Sequence, residues 1–164
     1  MPGTDAGASL ALHELPAAQL TAGYARGDFS PVEVTQSVLG HIERWEHHLH
    51  ALYLLRPELA VEQAQRSETR WRKGEQLGPL DGVPFTIKDN IATKGDPTPL
   101  GTAAVPLIAA AADAPPAARV REAGGVVIAK TTMPDYGMLS SGLSSFHQQF
   151  GKLTRNPWNL AKNP

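Results

Sequence analysis

Apolar positions recur at helical spacing through one early stretch of the chain, and the pattern changes character after residue 77. In "FSPVEVTQSVLGHIERWEHHLHALYLL", Val34, Val38, Ile42, Trp45 and Leu49 fall on one face of a helix and predict one buried side. The start of that helix is marked. Ser30 can cap it, Pro31 suits its first position, and Glu33 completes a capping box. A shorter helix is expected in "LPAAQLTAGYARGD", with Pro16 in its first turn and Gly27 just past its end. After Pro57, "ELAVEQAQRSETRWRKG" is mostly polar. It predicts a surface helix that holds on by Leu59, Ala60, Ala64 and Trp71 and stops near Gly74. Residues 1–12 read as a loose terminus.

From Leu77 onward the periodicity is that of strands. "GPLDGVPFTIKD" is a turn and a strand. "AADAPPAARVREAGG" is a helix with Asp113 as its cap, and "VVIAKTTM" is a short apolar strand. Strand, helix, strand implies a parallel pair joined by a crossover. From Pro134 the chain is rich in Gly, Ser and Asn, with little periodicity. An irregular stretch of that length is either functional or packed against something outside the chain. The expected organisation is a helical region over 1–74 and an α/β region over 75–164.

Composition narrows the class without naming it. The chain has 164 residues, a net charge of -1 and 41% apolar residues, ordinary for one globular domain. Near-neutral charge gives no footprint for nucleic acid. No apolar run is long enough for a membrane span, and the start lacks the basic and apolar regions of a secretory signal. There are no cysteines, which removes disulfides, thiolate metal sites and a cysteine nucleophile. A cytoplasmic protein is the default expectation.

One residue offers chemistry. In an extended "VPFTIK", Val83, Phe85 and Ile87 share one face, and Pro84, Thr86 and Lys88 the other. Lys88 can be a solvated strand end. It can also be a lysine delivered to a partly dry site, where burial disfavours the ammonium and frees the amine to act as a base toward a hydroxyl. Asp89 would oppose that role if it faced the lysine, but strand neighbours point to opposite faces, so it is expected to bond loop backbone instead.

Three blocks carry a resemblance. "GPLDGVPFTIKDN" resembles the lysine motif of the amidase signature family of serine hydrolases. "AGGVVIAKTTMPDYGM" resembles that family's strand and Thr-x-Met-Pro-acid turn, and "GKLTRNPWNLAKNP" its Asn-Pro-Trp segment. They come in family order over residues 75–164, and the preceding helices fit the family's N-terminal region. The implied fold is α/β: the N-terminal part of the amidase signature fold, a largely central sheet covered by helices, incomplete in this chain.

The resemblance also implies a chemistry. Lys88 would belong to a Ser-cisSer-Lys triad that hydrolyses small-molecule amides, carbon–nitrogen bonds other than those of protein backbones. The lysine works through a bridging serine, held by a cis peptide, on the nucleophilic serine. Both serines are expected beyond Pro164, the first in a Gly/Ser-rich loop, so the chain alone is expected to be inactive. Its implied partner is the remainder of the fold, as a second chain or a continuation. No metal or organic cofactor is implied. Met138, Leu139, Ser140 and Ser141 match the loop that lines the acyl side of the family's site, so they are the substrate-contact candidates. The rival reading of "MLSSGLSSF" makes Ser140 or Ser141 the nucleophile, or leaves the segment a solvated loop. "SFHQQFGK" is a few residues longer than the family pattern.

Other residues are read structurally. His41, His47, His48 and His50 crowd one helix, with His47 and His50 three apart, and a solvated face is preferred to a metal site. Lys130 ends an apolar strand without the catalytic context. Arg155 and Trp158 are expected to pack. An amidase-derived non-catalytic subunit or interaction module, and an amidotransferase subunit, are the rival functions. The lysine strand should be central to a larger sheet, and exposing it predicts association, as a homo-oligomer or with the missing part.

Overall fold

The computed structural model describes residues 10–139 and 142–164. A 3-10 turn at Leu12–Glu14 leads into α1 (Ala17–Arg26), which ends at Gly27 in the left-handed conformation. α2 (Pro31–Leu49) starts as its capping box dictates. Ser30 Oγ accepts from the Glu33 N–H at 3.2 Å, and the Ser30 N–H donates to Glu33 Oε2 at 2.8 Å. Such a cap contributes about 1 kcal/mol. β1 (Leu52–Leu55), α3 (Pro57–Lys73), β2 (Pro84–Lys88), α4 (Pro115–Glu122), β3 (Val126–Thr131) and a one-turn α5 (Ser145–Gln148) follow.

β1 lies where the sequence pattern runs on from the helix. α2 stops because His50 adopts a left-handed backbone, φ 48°. The Leu-Tyr-Leu-Leu segment then finds a strand partner in β3, and that tertiary pairing overrides the local helical pattern. Trp45 departs from the expected buried face. It is 42% exposed, beside the rings of His41 and His48. Asp113 does not cap α4. Its carboxylate accepts the Lys94 N–H and pairs with Arg121 instead.

The sheet runs β1-β3-β2. β2 and β3 are the expected parallel pair, with Lys88 opposite Thr131, and β1 is antiparallel to β3. β3 is buried along its length from Val126 to Lys130, as a central strand covered on both faces must be. Ala60 and Ala64 of α3 close directly onto Val126, Ile128 and Ala129, and the small side chains allow that approach. Leu20, Tyr24 and Val34 form a second cluster with Phe29 and Trp71. β2 is an edge strand among the described residues, its far side unpaired by any described strand. Beside it opens an apolar groove of about 310 Å³, lined in part by Leu12, Leu15, Val38, Ile42 and Phe85.

Candidate functional site

Lys88 is the last residue of β2, and its side chain is exposed. Its backbone is fixed on both sides: the Ile91 N–H donates to its carbonyl at 3.0 Å, and the next N–H, of Asp89, donates to Thr131 O at 3.1 Å. Among the described residues no hydrogen bond or ion pair engages its ammonium. The partly dry surroundings expected for it are not built by those residues.

Asp89 turns the other way, as strand alternation requires, and is wholly buried. Its carboxylate accepts the N–H groups of Leu100 (Oδ1, 3.1 Å) and Gly101 (Oδ2, 2.7 Å), the loop-backbone role expected of it. Burial pushes the carboxyl above its ordinary value, and these two N–H groups together with Lys130 act against that rise.

Lys130 is the lysine that burial selects. Its Nζ donates to Ile91 O at 3.0 Å and stands 5.8 Å from the centre of the Tyr53 ring. Burial holds its ammonium below the ordinary lysine range, with Asp89 and Asp96 opposing. Tyr53 in turn donates its hydroxyl to Pro97 O at 2.6 Å, and burial, with the Asp89 and Asp96 charges, pushes it up to about 12. This buried group holds down the loop that follows Lys88. The sequence did carry a signal for it, a lysine closing an otherwise unbroken apolar strand.

Met138 and Leu139 follow a tight turn at Asp135–Gly137 and are 82% and 52% exposed. Ser140 and Ser141 lie outside the described residues. The other two serines of the segment are occupied. Ser144 Oγ donates to Gly101 O at 2.6 Å, and Ser145 Oγ donates to Asp135 Oδ1 at 2.9 Å while accepting the Ala103 N–H. The long "SFHQQFGK" stretch opens with α5, which buries Phe146 and His147. The Asn-Pro-Trp segment is tied back to the end of α2: the Arg155 N–H donates to Leu49 O, and Thr154 donates to His50 O. Trp158 does not pack as expected and is 95% exposed. Among the described residues no group of three or more His, Asp or Glu is arranged to hold a metal ion, and no helix is long and apolar enough to cross a membrane.

A profile of the amidase family matches residues 33–164, and the chain belongs to the amidase signature family. It is 38% identical over 153 residues to a glutamyl-tRNA(Gln) amidotransferase subunit of Salinispora tropica, and 37% identical to the corresponding subunit of Methylococcus capsulatus. Each match covers 93% of this chain and 30% of the relative's length. Among solved structures it superposes on the peptide amidase of Stenotrophomonas maltophilia with a TM-score of 0.78 at 30% identity, covering 90% of this chain and 31% of that one. A bacterial aryl acylamidase gives 0.79 at 28% identity, covering 93% and 31%. The described residues are thus an N-terminal portion of the amidase signature fold.

Proposed function

We propose that this chain supplies the lysine of an amide-cleaving site, Lys88, acting as general base within a Ser-cisSer-Lys triad. The observation that carries the reading is the placement of Lys88. It stands at the C-terminal end of a rigid strand, where α/β folds gather their ligands, with its ammonium unengaged among the described residues. The rest of the fold supplies the two serines and encloses the lysine. Lys88 takes a proton from the bridging serine, which takes one from the nucleophilic serine. The nucleophile adds to the amide carbonyl. The proton then returns through the same relay to the leaving amine, and water attacking the acyl-enzyme releases the acid. Backbone N–H groups of the Gly-rich loops stabilise the oxyanion. The scheme calls for no metal or organic cofactor. Met138, Leu139, Ser140 and Ser141 line the acyl side of a small-molecule amide.

The names of the relatives favour a second reading, an amidotransferase-type subunit, in which the same triad serves transamidation. A non-catalytic module derived from an amidase is the reading outside catalysis. The experiment is hydrolysis of a simple aryl amide by this chain together with the remainder of the fold, compared with Lys88→Ala and Lys130→Met. Lys88→Ala should lose about 10²- to 10⁴-fold in kcat, the usual contribution of a general base. Lys130→Met should instead lower stability. Equal turnover by wild type and Lys88→Ala would remove Lys88 from the catalysis and with it both triad readings.

A further inference from the structure

The dipeptide Leu100-Gly101 has all four of its backbone polar groups committed, and they divide cleanly between two parts of the molecule. Both N–H groups go to the carboxylate of Asp89, the residue after Lys88. Both carbonyls go to the segment carrying the substrate-contact candidates. Leu100 O accepts the Tyr136 N–H at 2.8 Å, and Gly101 O accepts Ser144 Oγ and, at 3.3 Å, the Phe146 N–H. Only glycine fits at 101. Its φ is 69°, and a Cβ there would collide with the carbonyls of Met133 and Pro134. The dipeptide is a rigid spacer between the end of β2 and the turn that bears Met138 and Leu139.

We infer that Asp89 is a positioning residue that sets the register between Lys88 and the turn bearing Met138 and Leu139, acting through the Leu100-Gly101 spacer. This rests on the reading of Lys88 as the base. A carboxylate is the group the job requires. Two N–H donors converge on one side chain, and a carboxylate offers two acceptor oxygens where an amide offers one. Asp89→Asn keeps the shape but sets an NH₂ against an N–H. The spacer must then turn or lose a bond, and the loop it holds moves relative to Lys88. Sequence adjacency makes the link short: one peptide unit separates the lysine from its anchor.

The test uses this chain assembled with the remainder of the amidase fold and a simple aryl amide. Asp89→Asn should lower kcat about 10- to 100-fold, the range expected of a misplacement near 1 Å. Its thermal midpoint should stay above the assay temperature. Its effect should be non-additive with Met138→Ala in a double-mutant cycle on kcat/KM, since both act on one geometry. An Asp89→Asn enzyme that is less heat-stable yet turns over with wild-type kcat and KM would overturn the inference and make Asp89 merely structural. Should Asp89→Asn not fold, Ser144→Ala removes the shorter of the two bonds that hold the Gly101 carbonyl from the other side. It should lower kcat in the same direction, and an unchanged kcat would overturn the inference. Lys88→Ala run alongside separates the two claims. If it stays active, the reading of Lys88 falls and this inference with it. If it is inactive while Asp89→Asn is unimpaired, only the positioning role falls.

Discussion

Arg70 and Asp81 meet in a two-pronged ion pair, Nε to Oδ2 at 2.8 Å and Nη2 to Oδ1 at 2.6 Å, with the carboxylate wholly out of solvent. Asp81 also accepts the Leu77 N–H, and its own carbonyl accepts Trp71 Nε1–H. The pair therefore fastens the end of α3 to the turn from which β2 starts. Removing the guanidinium strands a buried charge. Arg70→Met should cost about 3 kcal/mol, read as a shift of the urea midpoint.

The same pair gives the chain an acid limit. Burial alone would raise the Asp81 carboxyl, but hydrogen bonds from Arg70 and Leu77 outweigh it and hold the group below its ordinary value. A depressed carboxyl contributes stability that is complete above the unfolded value, about 4, and is lost as pH falls through the lower folded value. Urea midpoints of wild type should fall steeply below about pH 4, and those of Asp81→Asn should fall less over the same range.

His147 adds a second dependence nearer neutrality. The ring is buried, its Nε2 has no described partner, and burial with the Lys152 and His50 charges keeps it below the ordinary histidine value. A base depressed on folding favours the neutral form. Its contribution is complete above about pH 6.5 and declines as pH falls toward the folded value. His147→Gln should make the stability slope between neutrality and that lower value shallower. His41, also depressed, mainly by burial and the His13 and Arg44 charges, leaves a residual slope.

Two glycines with the same backbone sign should behave differently. Gly27 has φ 75° and open space around it, so Gly27→Ala should cost about 1 kcal/mol of left-handed strain. Gly101 combines φ 69° with two carbonyls in the way. Gly101→Ala should exceed that cost by at least about 2 kcal/mol, read from chemical denaturation of both variants.

The parts of the fold that were legible from sequence are those set by local chemistry. Ser30, Pro31 and Glu33 specify the start of α2 because a capping box is made within four residues. The β2–α4–β3 crossover follows from two apolar runs around a helix. β1 was not legible because its strand character comes from pairing with β3, some 75 residues away, and not from its own four residues. Asp89 was readable as a backbone ligand from alternation alone. Its particular partners, Leu100 and Gly101, were not, because a loop of that length has no period. Trp158 lies exposed where packing is expected, because an aromatic ring in a short motif says nothing of what covers it.

The edge of β2 and the groove beside it predict behaviour in solution. The groove walls include Leu12, Leu15, Val38, Ile42 and Phe85, and Met138, Phe150 and Trp158 are exposed elsewhere. Alone, the chain should self-associate in light scattering at micromolar concentration, and co-expression with the remainder of the fold should suppress this. A monodisperse monomer would contradict it.

Chemical rescue tests most directly whether Lys88 moves a proton. Lys88→Ala, assembled with the remainder of the fold, is assayed on an aryl amide with and without added small primary amines. The expected result is a nearly inactive enzyme whose turnover rises with amine concentration and with amine basicity. Turnover that is undiminished by the substitution, or lost and wholly insensitive to every amine, would contradict a proton-transfer role for Lys88.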